Sequence, residues 1–261
     1  MMYHTKKAAF TLSEGATHVD QLNNVRKIAF TMAEVLITLV VIGVVAALTL
    51  PALITNIQNK GYVEALNKTY SVLQNVTNLI VNEEGQPSNW ILNAYSLRTN
   101  EPNKVVAQYY VSRMKVAKYC GFLGNEYRDE SCVITNDNYD LKGNKAEYTI
   151  GAGFLYDFTY PILLEDGSSV ALKFRSNAGG GYFWGFPDIT FIVDVNGKKK
   201  PNKVGRDIFF LYLNKDSSKI YPFIKEKLDS DTPASYIDDC KPGGTGYSCA
   251  YKVITEGKMN Y

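Results

Sequence analysis

Histidine is almost absent from this 261-residue chain: His4 and His18 are the whole complement. Both precede residue 30, so a chain cut there retains neither. That excludes a histidine-dependent triad and the usual imidazole ligands of zinc. The patterns G-x-x-x-x-G-K-[ST], G-x-S-x-G and H-E-x-x-H do not occur, so the commonest hydrolytic machineries have no residues to work with. A surplus of one charge sign is lacking too. The formal net charge is +2, from 28 basic and 26 acidic side chains. Residues 1–29 hold four of the basic ones (Lys6, Lys7, Arg26, Lys27) and two of the acidic ones (Glu14, Asp20), so 24 of each remain beyond residue 29. No global basic footprint for nucleic acid is left. The expectation is a protein that is not an enzyme and carries no cofactor.

Charge is also missing locally. After Glu34 no charged residue occurs until Lys60, and residues 35–50 are almost wholly apolar. A helix rising ~1.5 Å per residue crosses a hydrocarbon core of ~30 Å in ~20 residues, so residues 30–54 are expected to span a membrane. Basic residues on the N-terminal flank favour keeping that end in the cytoplasm, which places the rest of the chain outside it. A single-pass anchor accounts for the apolar run. So does a signal peptide with a long N-terminal region, cut after Val45-Ala46-Ala47. Neither accounts for Glu34. A carboxylate at the edge of a hydrocarbon span is costly, and such groups are functional candidates. The competing account is local: in the first turn, Glu34 favours the helix dipole.

Lys27-Ile28-Ala29-Phe30-Thr31-Met32-Ala33-Glu34, followed at once by the apolar run, resembles the prepilin-type processing motif of type IV pilins and of the pseudopilins of type II secretion and DNA-uptake systems. Phe30 matches the residue that becomes the methylated N-terminus, and Glu34 matches the family's acidic residue. Pro51 falls where these helices usually carry a proline. The residue before the cut is usually Gly, and here it is Ala29. The match is confined to residues 27–51. It implies cleavage between Ala29 and Phe30 by a prepilin peptidase and N-methylation of Phe30. It implies that the freed amine pairs with Glu34 of a neighbouring subunit. The partners implied are other copies or other pilin-like subunits and an inner-membrane assembly platform. The location implied is the cytoplasmic membrane, single-pass with the N-terminus inside and the head exported, then an extracellular or periplasmic filament. The fold implied is α+β, a long helix packed on a small, usually four-stranded, antiparallel sheet.

The domain reading follows: a leader over 1–29, a transmembrane and assembly helix over 30–54, its amphipathic continuation over 55–84 and an exported α+β head over 85–261. Within the leader, Ala9-Phe10-Thr11-Leu12-Ser13-Glu14 echoes residues 29–34. It leads into polar sequence and reads as a non-functional partial duplication. Past Pro51, Ile57, Leu66, Leu73, Val76 and Ile80 recur at helical steps, with Tyr62, Tyr70 and Leu79 beside them. Pro51 and Gly61 are expected as kinks or points of local unwinding. Asn100-Glu101-Pro102 reads as a cap, and Val105, Val106, Tyr109, Tyr110, Met114 and Ala117 predict a second helix ending at Cys120-Gly121. Residues 161–165, Asp166-Gly167 and 168–174 predict a hairpin, with further strands over 189–195, 207–213 and 219–224 and a short one over 251–254. Gly179-Gly180-Gly181 with Tyr182, Phe183 and Trp184 reads as a loop with an aromatic tip.

Cys120, Cys132, Cys240 and Cys249 have no C-x-x-C spacing, which argues against zinc. In an exported domain they read as disulfides, and four cysteines allow three connectivities. Local pairing, Cys120–Cys132 and Cys240–Cys249, is favoured because short loops close easily; four reduced thiols are the other state. Asp194-Val195-Asn196-Gly197 places oxygens two apart before a glycine, a fragment of a calcium loop to which Asp207 can add an oxygen. An Asn-Gly hairpin turn is the plainer reading, since three lysines follow. The segment 194–202 also resembles the D-x-N-G-x-x-x-P-N stretch of pseudopilin-like heads. Three rivals to a filament subunit remain. The first is a membrane-tethered binding module that never polymerises. The second is an exported glycosidase using carboxylates such as Asp157, Glu165 and Asp188, though no spacing singles out a pair. The third is DNA capture through residues 198–206, for which a solvated loop is the plainer account.

Overall fold

The computed structural model describes residues 31–90, 101–121, 138–146, 159–174, 189–214, 216–224 and 239–261. The elements are α1 (Met32–Glu84), a 3-10 turn (Pro87–Asn89), α2 (Glu101–Val111), six strands and α3 (Cys249–Glu256). The strands are β1 (Val116–Tyr119), β2 (Thr159–Leu164), β3 (Ser169–Phe174), β4 (Ile189–Asp194), β5 (Ile208–Asn214) and β6 (Lys219–Pro222). The expected α+β arrangement is therefore present: a long N-terminal helix and an antiparallel sheet. The described residues fall into two units, one up to Leu50 and the other from Pro51 to Tyr261.

In the first unit, α1 is rich in β-branched Val and Ile, which lose side-chain freedom in a helix, so its helicity rests on apolar surroundings that force main-chain groups to bond internally. Among the described residues its side chains find nothing to pack against: Leu36, Leu39, Val40, Ile42 and Leu48 are all more than half exposed. This is the one described helix long and apolar enough to cross a membrane. Helical residues continue without a break past Pro51 and Gly61, so neither residue unwinds it. Threonine hydroxyls on either side of the proline donate back to main-chain carbonyls, Thr49 to Val45 and Thr55 to Pro51, both at 2.9 Å.

In the second unit, the remainder of α1 buries Val63, Leu66, Thr69, Leu73, Val76, Thr77 and Ile80. At about 100° per residue these fall on one face. Ile57 and Leu79 do not join them, and are 62 % and 50 % exposed. Relative to the centre of that face Ile57 lies about 160° round and Leu79 about 120°, too far to reach the sheet. The helix stops at Gly85, whose positive φ of 84° lets its N–H return to the Val81 carbonyl at 3.0 Å.

The sheet order is β1-β2-β3-β4-β5-β6, a meander of antiparallel neighbours with no crossover. Six strands exceed the four that the resemblance implied. The hairpin over Asp166-Gly167 is present, with Leu163 opposite Ser169. One face of the sheet packs on α1 and α2 through Tyr160, Ile162, Leu172, Phe191, Phe209 and Leu211. The other face carries Ile192, Ile208, Phe210, Phe223 and Tyr247. The central strands thus bury side chains on both faces, so β4 is apolar or buried at every position. The outer edge of β6 is met by α1. Gln74 Oε1 accepts the Ile220 N–H at 2.8 Å, and the Tyr70 hydroxyl donates to the Ile220 carbonyl at 3.0 Å. Edge groups answered this way are closed to another strand.

Two sequence expectations need correction. The second helix ends at Val111, and Ala117 lies in β1, where Lys118 pairs with Leu163; Met114 lies between the two elements. The helical spacing that suggested otherwise continues by chance into a segment whose backbone the sheet claims. The segment 251–254 is not a strand but the middle of α3. Cys249, Ala250 and Val253 are its buried residues, a helical spacing that outweighs β-branched preference.

Candidate functional site

Two places deserve description, one in each unit. The first is the start of α1. Ala29 and Phe30 lie outside the described residues; Thr31 and Glu34 do not. The Glu34 Oε2 accepts the Thr31 N–H at 2.8 Å and the Thr31 hydroxyl at 2.9 Å, and the Glu34 N–H donates to Thr31 Oγ1 at 3.2 Å. This is a capping box, in which two orphaned main-chain donors are answered by each other's side chains. The sequence signal was present as T-x-x-E and was overlooked, because the carboxylate was weighed only against the dipole and a partner chain. Both side chains are exposed, so the carboxylate stays accessible while it caps.

The second place is the β4–β5 connection, residues 195–207. The plainer expectation, a two-residue Asn-Gly hairpin turn, is not what joins the strands; the loop is far longer. The backbone N–H of Val195 donates to the Asp207 carbonyl at 2.9 Å, closing the loop at its base. Gly197, at φ 64°, passes so near the β2–β3 turn that a Cβ there would sit 2.5 Å from the Gly167 carbonyl oxygen. Asn202 adopts φ 52°, a conformation asparagine tolerates better than most residues. Lys198, Lys199 and Lys200 are exposed.

Inside the loop the structure brings together Asp194, Asn196 and Asp207. Asp194 and Asp207 are each 0 % exposed. The Asn196 N–H donates to Asp194 Oδ1 at 3.2 Å, and the Asn196 side chain hydrogen-bonds the Asp207 carboxyl. Asp207 also accepts the N–H of Asn202 at 2.8 Å and of Lys203 at 2.6 Å. The Asn196 amide reaches the Tyr62 hydroxyl and the Lys200 carbonyl, each at 3.3 Å. Burial, and after it the like charge of Asp207, pushes the Asp194 carboxyl well above the usual carboxylate range. Burial raises Asp207 too, against the pull of its N–H donors. A groove of about 330 Å³ opens beside the loop, lined by Gln58, Gly61, Tyr62, Asp166, Asn196 and Lys199.

The cysteines divide. Cys240 and Cys249 form a disulfide with Cα atoms 5.0 Å apart, as the local pairing predicts. Asp239 braces that loop: its carboxylate accepts the N–H groups of Thr245 (3.1 Å), Gly246 (3.2 Å) and Ser248 (2.7 Å). Cys120 is disulfide-bonded; Cys132 lies outside the described residues, as do Asp157, Asp188 and the 179–184 loop. Glu165 is exposed on the β2–β3 turn. Among the described residues no group of three or more His, Cys, Asp or Glu is placed to hold a metal. No family model matches this chain, and neither the curated proteins nor the solved structures compared with it yield a match.

Proposed function

We propose that this protein is a pilin-like structural subunit of a type IV pilus or a type II secretion pseudopilus, not an enzyme. It is made as a single-pass precursor with its N-terminus inside, cut between Ala29 and Phe30, methylated on Phe30 and assembled with other pilin-like subunits by a membrane platform. The observation that carries the reading is the division of α1. Its first part buries nothing and is apolar, while its later part spends one face on an antiparallel sheet. An apolar helix with no partner among the described residues is suited to lipid or other helices around it. The work of such a subunit is mechanical: the helix passes from bilayer to filament core and the head forms the outer surface. Mass spectrometry of the mature protein tests this. The expected chain starts at Phe30 with an added methyl group; a mature chain still containing His18 sinks the reading.

One observation favours the tethered module. The capping box gives Glu34 a complete local role that needs no neighbouring chain. The two roles are separable by substitution, as argued below.

A further inference from the structure

We infer that the groove between α1 and the β4–β5 loop, with the lysines on its rim, seats the phosphate headgroups of an anionic bilayer in which α1 is anchored. The inference rests on the single-pass placement proposed above and not on assembly into a filament. The groove, about 330 Å³, is framed by Gln58, Gly61 and Tyr62 of α1 and by Asn196 and Lys199 of the loop. Lys198, Lys199 and Lys200 are exposed, and so is Lys60 on the helix. Asn196 holds the loop on the helix: its Nδ2 donates to the Tyr62 hydroxyl and to the Lys200 carbonyl, each at 3.3 Å. Because that hydroxyl accepts from Asn196, its own proton is left to donate into the groove. A cationic amine, a phenol O–H and the Gln58 amide together suit phosphate oxygens. Against the lysines stand Glu64 and Glu165, both exposed. Asp166 is paired with Lys68 at 2.6 Å. Asp194 and Asp207 lie beneath the loop, where burial raises both carboxyls toward the neutral form.

The apolar part of a lipid is met by the same helix. Leu53, Ile54 and Ile57 are each more than half exposed. Ile54 precedes Gln58, and Ile57 precedes Gly61, by close to one helical turn, so each lies in line with a residue of the groove. A phosphate held at Gln58 and Lys199 therefore leaves acyl chains to run along apolar side chains toward the start of α1. Exposed apolar residues beside a cluster of lysines are the two attractions that hold a protein surface on an anionic membrane.

The whole protein is reconstituted in bilayer discs of phosphatidylcholine alone or mixed with phosphatidylglycerol. Its lysines are labelled with a neutral acylating reagent and read by mass spectrometry. Acylation of Lys198, Lys199 and Lys200 is expected to be at least roughly fivefold slower in the anionic discs, the factor that one lysine near such a surface contributes. Molar salt is expected to abolish the difference. Lys219, exposed beside the far end of α1 where Ser218 meets Gln86, is the reference whose rate should not change. With Lys199→Glu and Lys200→Glu combined, Lys198 is expected to react as fast as it does in neutral discs. Equal rates in the two kinds of disc would overturn the inference. Protection of Lys198 that survives the double substitution would overturn the assignment of these lysines. Protection that follows protein concentration in detergent, with no bilayer, would make a second copy the occupant and overturn the lipid. A chain that the discs do not retain would overturn the membrane placement, and this inference with it.

Discussion

The capping role that Glu34 shows and the pairing role proposed for it make different demands on its carboxylate. A capping box is satisfied by glutamine as well as by glutamate, because only hydrogen-bond acceptors are needed. Pairing with the α-amine of a neighbouring Phe30 needs the charge. Glu34→Gln is therefore expected to insert and be processed normally yet be depleted from sheared filaments, while Thr31→Ala, which removes the cap and keeps the charge, assembles. Filament recovery with equal precursor levels is the measurement. If Thr31→Ala is the variant lost and Glu34→Gln behaves like the parent, the carboxylate is a cap and the tether reading gains. At this scale the sequence was informative about residue type and less so about pairing. Asp194, Asn196 and Asp207 were grouped by spacing alone, and the structure does place them together. What spacing did not reveal is that both acids are buried, in a loop whose Gly197 passes close over Gly167.

The second part of α1 is the element whose phase can be checked most directly. Leu73 is fully buried and Leu79, two turns of sequence away, is half exposed. Leu73→Ala is expected to cost about 2–5 kcal/mol and Leu79→Ala about 0.5 kcal/mol or less, read from urea unfolding of the head. Equal losses would mean the helix sits on the sheet in another rotation. The disulfide loop is a second test. Replacing both Cys240 and Cys249 by alanine is expected to destabilise the head by about 2–3 kcal/mol for a loop this short, with added hydrogen exchange in α3. Among elements, the hairpin and the four strands from β3 to β6 were legible because turn residues and β-branched runs coincide there. The short elements were not. β1 has only four residues, Val116–Tyr119, and is held by its pairing with β2, a partner more than forty residues away that no local pattern names. α3 contains Val253 and Ile254 and looked like a strand until packing chose the helical face.

Taken whole, the molecule keeps its core on one side of Leu50. The buried residues named above all fall within Pro51–Tyr261. A chain beginning at Pro51 is therefore expected to fold and melt within a few degrees of the full-length protein in detergent, and to remain soluble without it. Circular dichroism melts check this, and a truncated chain that aggregates or loses its transition would show that the apolar half supports the head. The meander adds something about time. Each strand pairs only with its neighbours in sequence, and apart from β1, whose partner β2 lies more than forty residues on, each pairing joins strands that follow closely along the chain. As the chain is made, strands can be added in sequence order, β6 last, to a helix already formed. The last edge to form is β6, where Gln74 and Tyr70 are waiting. The finished sheet has two edges, β1 and β6, and the edge completed last is the one already answered by its own helix.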